Sequence, residues 1–388
     1  MFEDMLDDPE HAATLFEMVE PSLPQPTAVM REFTPVSRIP RWTLRTDVGA
    51  FRLKIAGDAT AAVALARGAG VLAALRSGAL RAGALRSGLE ATTVKVPTPR
   101  RLELHLHETE LSVAIEERLG GGDARTAWPR LSTAQRCAIA EASAEQLVAL
   151  HAVLVDDVPA LRCRGGSWGA APRGSGAVAP ARGGCENASN RETPSGWVGI
   201  GPVGASSPHE EAPEAAPGPE GGDLPWREVV YGRIERRVAA LRDGDILEGD
   251  LLARVERRLR NAAASLPLEL ERRLCHGAFG LESVALDRQA VVGIQDFEVA
   301  SPGDPWADVA YWLASSGDPD GRAARRFFDT YRDHVTVPPD LPARIDLYAG
   351  LTVLRAMAYL GPNFTDEGCA TIAEVTESWV STAPRPWI

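Results

Sequence analysis
From Phe33 to Ile55 polar and apolar side chains alternate, as in Arg-Trp-Thr-Leu-Arg-Thr and Phe-Arg-Leu-Lys-Ile-Ala. A period of two predicts strands with one face inward, here two strands turning near Asp47-Val48-Gly49. Residues 59–89 switch to an Ala- and Leu-rich helical period, weakened by Gly68, Gly70, Gly78, Gly83 and Gly88. Residues 91–122 return to strand character: a strand, a Pro-bounded turn, then two further strands ending at Gly120–Gly122. The N-terminal third therefore reads as a mostly antiparallel sheet with one helix inserted. Past the glycines the period becomes 3.6. Ser132-Thr133-Ala134-Gln135 is a capping box that opens a helix running to about His151, with Ile139, Leu147 and Leu150 inward. Two more amphipathic helices are predicted. One covers 226–242 and presents Val230, Ile234, Val238 and Leu241; the other covers 248–264 and presents Leu251, Leu252, Val255 and Leu259. Residues 165–222 hold 14 Gly and 8 Pro in 58 positions without an apolar period, the pattern of a low-complexity surface insertion. Residues 1–30 read as a short acidic helix followed by a Pro-broken leader.

Composition narrows the class. A chain of 388 residues, 45% apolar and 24% charged, is long enough for two or three folding units and a large core. Its longest apolar runs fall short of the ~20 residues of a membrane helix. The first twenty residues carry seven acids and no Lys or Arg, which argues against a secretory signal. A net charge of −12 disfavours nucleic acid and anionic membranes as partners and suits a cationic small molecule or a basic protein. Five cysteines, odd in number and without a Cys-x-x-Cys pair, argue against a disulfide framework or a zinc site, so a reduced, cytoplasmic home is expected. Of the 41 basic residues only Lys54 and Lys95 are lysines, a bias that suggests a GC-rich bacterial genome. Lys54 thereby stands out, because lysine offers a slim point charge that arginine does not. Lys95 reads as a solvated strand residue.

The densest chemical signal is 274–312, Leu-Cys-His-Gly-Ala-Phe-Gly-Leu-Glu-Ser through the strand Ala-Val-Val-Gly-Ile to Asp296-Phe297-Glu298 and Gly303-Asp304-Pro305. A carboxylate directly after a buried strand is a common metal ligand. Asp304 with Pro305 reads as the opening of a helix, and Asp304 and Asp308 as structural caps and pairs. His105 and His107 share a strand face but lack a third ligand, and His151 reads as a packed helix-end histidine.

This segment resembles the aminoglycoside phosphotransferase and choline kinase group, whose signature is His-Gly-Asp, four residues, Asn, then an apolar strand, Asp, and Gly-Asp-Pro. "FRLKIAG", "VPTPR" (96–100), "IEERLGG" (115–121) and "LVALHAV" (147–153) follow in the order that family requires, so the resemblance spans roughly 33–160 and 225–380. It implies an α+β, two-lobed protein-kinase-like fold. An antiparallel β N-lobe would cover 31–122 and a mainly helical C-lobe 123–388, with the insertion at 165–222. It implies ATP and Mg²⁺ as cofactors, Lys54 on the ATP phosphates, and Asp296 on the metal. His276 would be a loop-holding histidine. The chain also departs from the pattern. The family's catalytic Asp falls on Ala278 and its metal-binding Asn on Ser283. Ser37-Arg38-Ile39-Pro40 stands where a glycine-rich loop is expected, and the helix glutamate that should pair Lys54 is missing. Glu282 is a candidate replacement base or metal ligand.

The implied activity is ATP-dependent phosphoryl transfer to a hydroxyl of a small, cationic molecule, impaired because a positioned base is worth ~10²–10⁴-fold. The alternatives are a pseudokinase that binds nucleotide, ligand or a partner protein, and a kinase fold reused for other biosynthetic chemistry.

Overall fold
The computed structural model describes residues 8–32, 39–76, 96–106, 109–153, 224–247, 249–317, 321–360 and 366–381. The low-complexity insertion, the strand predicted over 91–95, Lys95 and His107 lie outside these residues.

The N-lobe is a five-stranded antiparallel sheet in the order β1-β2-β3-β5-β4, built from β1 (Ala28–Glu32), β2 (Arg41–Thr46), β3 (Gly49–Ala56), β4 (Pro99–Leu106) and β5 (Thr109–Glu117). The β2–β3 hairpin turns at Asp47-Val48, where the sequence places it. Alternation gives the sheet two unlike faces. Trp42, Leu44, Leu53, Ile55, Val113 and Ile115 point outward onto helix α1 (Pro9–Val19), which contributes Ala12, Leu15 and Phe16 to the same core. The segment read as a leader is thus packed on the sheet, and the boundary expected at residue 30 falls inside β1. The opposite face carries charge. The register sets Glu32 opposite Arg41, Arg41 opposite Lys54, and Arg52 opposite Glu116.

Helix α2 (Ala59–Arg76) crosses beneath this charged face. By length and composition alone it could cross a membrane, yet here it packs over the turn Phe297–Val299. A Cβ on Gly68 would lie 3.2 Å from Glu298 N, so the missing side chain lets helix and turn approach closely.

The C-lobe follows β6 (Gly122–Asp123) and the short α3 (Ala124–Ala127). Helix α4 (Thr133–His151) begins at the capping box: Ser132 Oγ accepts from Gln135 N, and the Gln135 side chain reaches back to Ser132 N. Helices α5 (Trp226–Asp243) and α6 (Gly249–Ala264) bury the apolar positions the 3.6 period selects, with Leu251 at the edge. Next come β7 (Arg273–Cys275), β8 (Val284–Asp287), β9 (Ala290–Ile294) and β10 (Ser301–Gly303). Helices α7 (Trp306–Ser315), α8 (Arg322–His334), α9 (Leu341–Leu360) and α10 (Asp366–Ser381) complete the lobe. One continuous core joins α4 to α9, and Phe279, Trp312 and Phe327 stack at its centre.

Candidate active site
The loop after β7 is held from below by one carboxylate. Asp308, on the first turn of α7, accepts from His276 N (2.6 Å) and Gly277 N (2.8 Å) and from His151 Nε2 (3.0 Å). His151 Nδ1 then accepts from the Tyr331 hydroxyl at 2.7 Å. Gly277 adopts φ +83°, and a Cβ there would lie 2.4 Å from Val299 O, so the turn requires glycine. His276 is fully buried. Its Nε2 donates to Gln295 O at 2.8 Å, and its Nδ1 faces Ala278 N at 3.4 Å. Both ring nitrogens are committed, so His276 holds the loop, as the sequence suggests. Asp304 accepts from Arg344, Tyr348 and Trp306 N, and so pins α9 to the start of α7.

Ala278 presents no proton acceptor from its side chain. Ser283, 1% exposed, donates from Oγ to Ala278 O at 2.9 Å and so closes the loop on itself. Glu282 turns aside: its carboxylate accepts from the Tyr311 hydroxyl at 3.1 Å, lies 3.6 Å from Arg125 Nη1, and folds over Gly280.

The other half of the site lies at the end of β9. Asp296 adopts a left-handed backbone, φ 72° and ψ 58°, a conformation that costs a non-glycine residue ~1–3 kcal/mol and persists where the surroundings impose it. Its carboxylate is met by three cations. Arg41 Nη1 lies 2.8 Å from Oδ2, and Arg52 Nη1 and Lys54 Nζ each lie 3.1 Å from Oδ1. Lys54 is completely buried, and also binds both oxygens of Glu116 at 2.8 Å and pairs with Glu298. Arg41 reaches Glu298 at 3.6 Å, and Arg52 reaches Glu32 at 2.8 Å. Burial alone would raise the Asp296 carboxyl, but Arg41, Arg52 and Lys54 hold it far below the usual carboxylate range. Burial works to lower Lys54, yet Glu116, Glu298 and Asp296 push it up to about 12. Glu116 moves the other way: burial raises its carboxyl despite Lys54.

The structure brings Lys54 and Asp296 together as an ion pair. It adds partners the sequence reading missed: Arg41, Arg52, Glu32, Glu116 and Glu298. Local spacing marks only that Arg41 and Arg52 lie on the same strand face as Thr43 and Lys54; what joins them to Glu32 and Glu116 is the cross-strand register. The partner of Lys54 that α2 fails to supply comes instead from β5 and from the turn after Asp296. The placement also bears on Mg²⁺. Both oxygens of Asp296 are already met by full positive charges, and Ser283 directs its hydroxyl proton at Ala278 O. As arranged, these residues do not fit a divalent cation, which would have to approach three cations at close range.

Comparison with known proteins places the chain in a family. The model of the phosphotransferase enzyme family matches residues 38–348, which include Lys54, the His276 loop and Asp296. The chain belongs to the phosphotransferase enzyme family. Among solved structures, this phosphotransferase-family chain is similar to an aminoglycoside phosphotransferase APH(4)-Ia mutant in a ternary complex with ADP and hygromycin B. The two are 16% identical over 94% of this chain and 97% of that one, with a TM-score of 0.55. It is similar as well to the GDP complex of an aminoglycoside 2′-phosphotransferase-IIIa mutant (13% identity, 96% and 97% covered, TM-score 0.58). A third is the gentamicin complex of APH(2″)-IIa (11%, 97% and 98%, TM-score 0.54). At these identities the likeness establishes the kinase-like fold. No curated protein sequence matches the chain.

Proposed function
We propose that this protein is a disarmed phosphotransferase: a nucleotide- and small-molecule-binding member of its family in which ATP-dependent transfer to a hydroxyl is slowed or lost. One observation carries the reading, namely that the carboxylate of Asp296 is ringed by Arg41, Arg52 and Lys54. Those three cations supply the positive charge that a bound metal would otherwise bring. A metal-free polyphosphate is an anion that competes with Glu116, Glu298 and Glu32 for them; a metal-bound one must first displace them. Burial pushes the Glu116 carboxyl up, against the pull of Lys54. The nucleotide complexes among the structural neighbours support nucleotide as the ligand class. Ala278 supports the loss of transfer: without a base to orient the acceptor hydroxyl and take its proton, the rate drops ~10²–10⁴-fold. Glu282 does not repair this, since its carboxylate is engaged by Tyr311 and Arg125.

The test is thermal unfolding with ATP in excess EDTA and with ATP in excess Mg²⁺, alongside Lys54→Ala. Ligand at ~100 times Kd stabilises by about 2.7 kcal/mol, a readable shift. The expected result is a shift in EDTA at least as large as that in Mg²⁺, absent in Lys54→Ala. A shift that requires Mg²⁺ would overturn the metal-free reading, and no shift in either would remove nucleotide from the proposal. Phosphoryl transfer at the rate of an intact kinase, followed by ADP release against a panel of small hydroxylated acceptors, would overturn the disarmed reading.

A further inference from the structure
Beneath the loop that carries Ala278, three side chains of different chemistry meet in the core. His151 ends α4, Cys275 ends β7, and Asp308 lies on the first turn of α7. All three are buried, and a ring nitrogen, the sulfur and a carboxylate oxygen lie within 4.8 Å of one another. Imidazole nitrogen, thiolate and carboxylate are the donors that zinc takes in proteins.

Two members of the trio lack the partner their chemistry calls for. Asp308 is 1% exposed, yet it is met only by His151 and the amides of His276 and Gly277. No lysine or arginine among the described residues pairs with it, whereas the buried Asp304 nearby has Arg344. A carboxylate taken out of water without a fixed cation is costly, and a metal ion supplies one. The Cys275 sulfur makes a single long contact, to Arg273 O at 3.6 Å. Burial pushes its thiol up, and Asp308 and Asp304 each add to this more than Arg233 opposes it, so the sulfur sits in a negative field. The third member is already oriented. The Tyr331 hydroxyl lies 2.7 Å from His151 Nδ1, the outer hydrogen bond that aligns a metal-bound histidine. A cavity of about 80 Å³ borders Cys275 and Asp308. Gly303 lines it, and a Cβ there would come 3.2 Å from the Cys275 sulfur. The space has room for water, so three protein ligands would leave a fourth position open to it.

We infer that His151, Cys275 and Asp308 form a binding site for a zinc-type divalent cation, with water from the cavity as the fourth ligand. The ion would replace the 3.0 Å hydrogen bond between His151 Nε2 and Asp308. The Cys275 proton leaves to solvent as the sulfur–metal bond forms. The His151 proton passes from Nε2 to Nδ1, where the Tyr331 oxygen accepts it. Thiolate and carboxylate then balance the two charges of the ion, so no net charge is buried. The site stands apart from the Asp296 cluster and goes beyond the proposed function. The lack of a Cys-x-x-Cys pair does not speak against it, because its ligands come from three elements far apart in sequence.

The test is titration of the full chain, stripped of metal, freed of chelator and kept reduced, with Co²⁺ and then Zn²⁺, without nucleotide. Thiolate bound to Co²⁺ absorbs in the near ultraviolet, so the spectrum reports the sulfur ligand. The expected result is a thiolate band that saturates at one equivalent, is bleached by Zn²⁺ and is untouched by excess Mg²⁺. The band should vanish in Cys275→Ala and in Cys275→Ser, and persist in Cys137→Ala. Zn²⁺ affinity should fall at least tenfold in Cys275→Ala and in His151→Gln. Far-ultraviolet dichroism shows which variants fold; if His151→Gln does not, the two Cys275 variants decide. No band in the unaltered chain would overturn the inference. So would a band that survives in Cys275→Ala, since another cysteine would then hold the ion, or an unchanged Zn²⁺ affinity in folded His151→Gln. Because no nucleotide is present, failure here leaves the nucleotide reading untouched.

Discussion
Lys54 is the residue on which the site turns, and its environment sets what its loss would do. Its ammonium is buried against Glu116, Glu298 and Asp296. Removing one partner of a buried ion cluster leaves uncompensated charge and costs about 3–5 kcal/mol. We therefore expect Lys54→Ala to lower the unfolding free energy measured by chemical denaturation by that amount, whereas a lysine serving only as a phosphate ligand would leave the unliganded stability nearly unchanged. A second residue-scale expectation concerns Ala278. Ala278→Asp, alone or with Ser283→Asn, should yield no phosphoryl transfer measurable by ADP release, because Asp296 stays engaged by Arg41 and Arg52. Appearance of activity would show that the missing base was the whole defect. Lys54 and Asp296 stood out in the sequence as a rare lysine on a strand and a carboxylate directly after an apolar strand. Arg41, Arg52 and Glu116 did not, because their meaning depends on the cross-strand register, which no local pattern states.

At the scale of elements, the helices of the C-lobe follow their periodicity. The capping box at Ser132 and the apolar stripes of α5 and α6 locate them to within a residue or two. The N-terminal helix was legible as a helix but not as part of the lobe. Its apolar residues gain meaning only when Trp42 and Ile115 are known to face it. Helix α2 shows the reverse case: five glycines weakened its prediction, yet Gly68 is what lets it lie against Glu298. A valine at that position would need neighbours to give way by several tenths of an ångström. Overpacking of this kind costs about 1–3 kcal/mol, and here it would push α2 off the Phe297–Val299 turn. Gly68→Val should therefore lower the thermal midpoint and, by loosening Glu298, speed hydrogen exchange at Phe297–Val299, while exchange in α5 and α6 stays unchanged.

Over the whole molecule, the cluster joins the lobes, since Arg41, Arg52 and Lys54 belong to the sheet and Asp296 and Glu298 to the C-lobe. Its charge sets a pH window. The carboxyls of Asp296, Glu298 and Glu32 are lowered, so their contribution is complete above the unfolded carboxylate value of about 4 and fades as pH falls below it. Lys54 is raised to about 12, so its contribution is complete below the unfolded value and fades as pH rises through about 12. Glu116 has the opposite sign: raised by burial, it favours the folded state more at lower pH. Thermal midpoints should thus hold a plateau from about pH 5 to 10 and fall on both sides. In Asp296→Asn the acid limb should be shallower, and an unchanged limb would show that the cluster does not govern acid stability. The same interlocking has a consequence for substitution. Removing Arg41 or Arg52 would leave Glu32, Glu298 and Asp296 buried with fewer partners, so each single replacement strands a charge. A chain that changed these positions one at a time would fold less well at each intermediate than at either endpoint, so folding itself keeps the members of the cluster together.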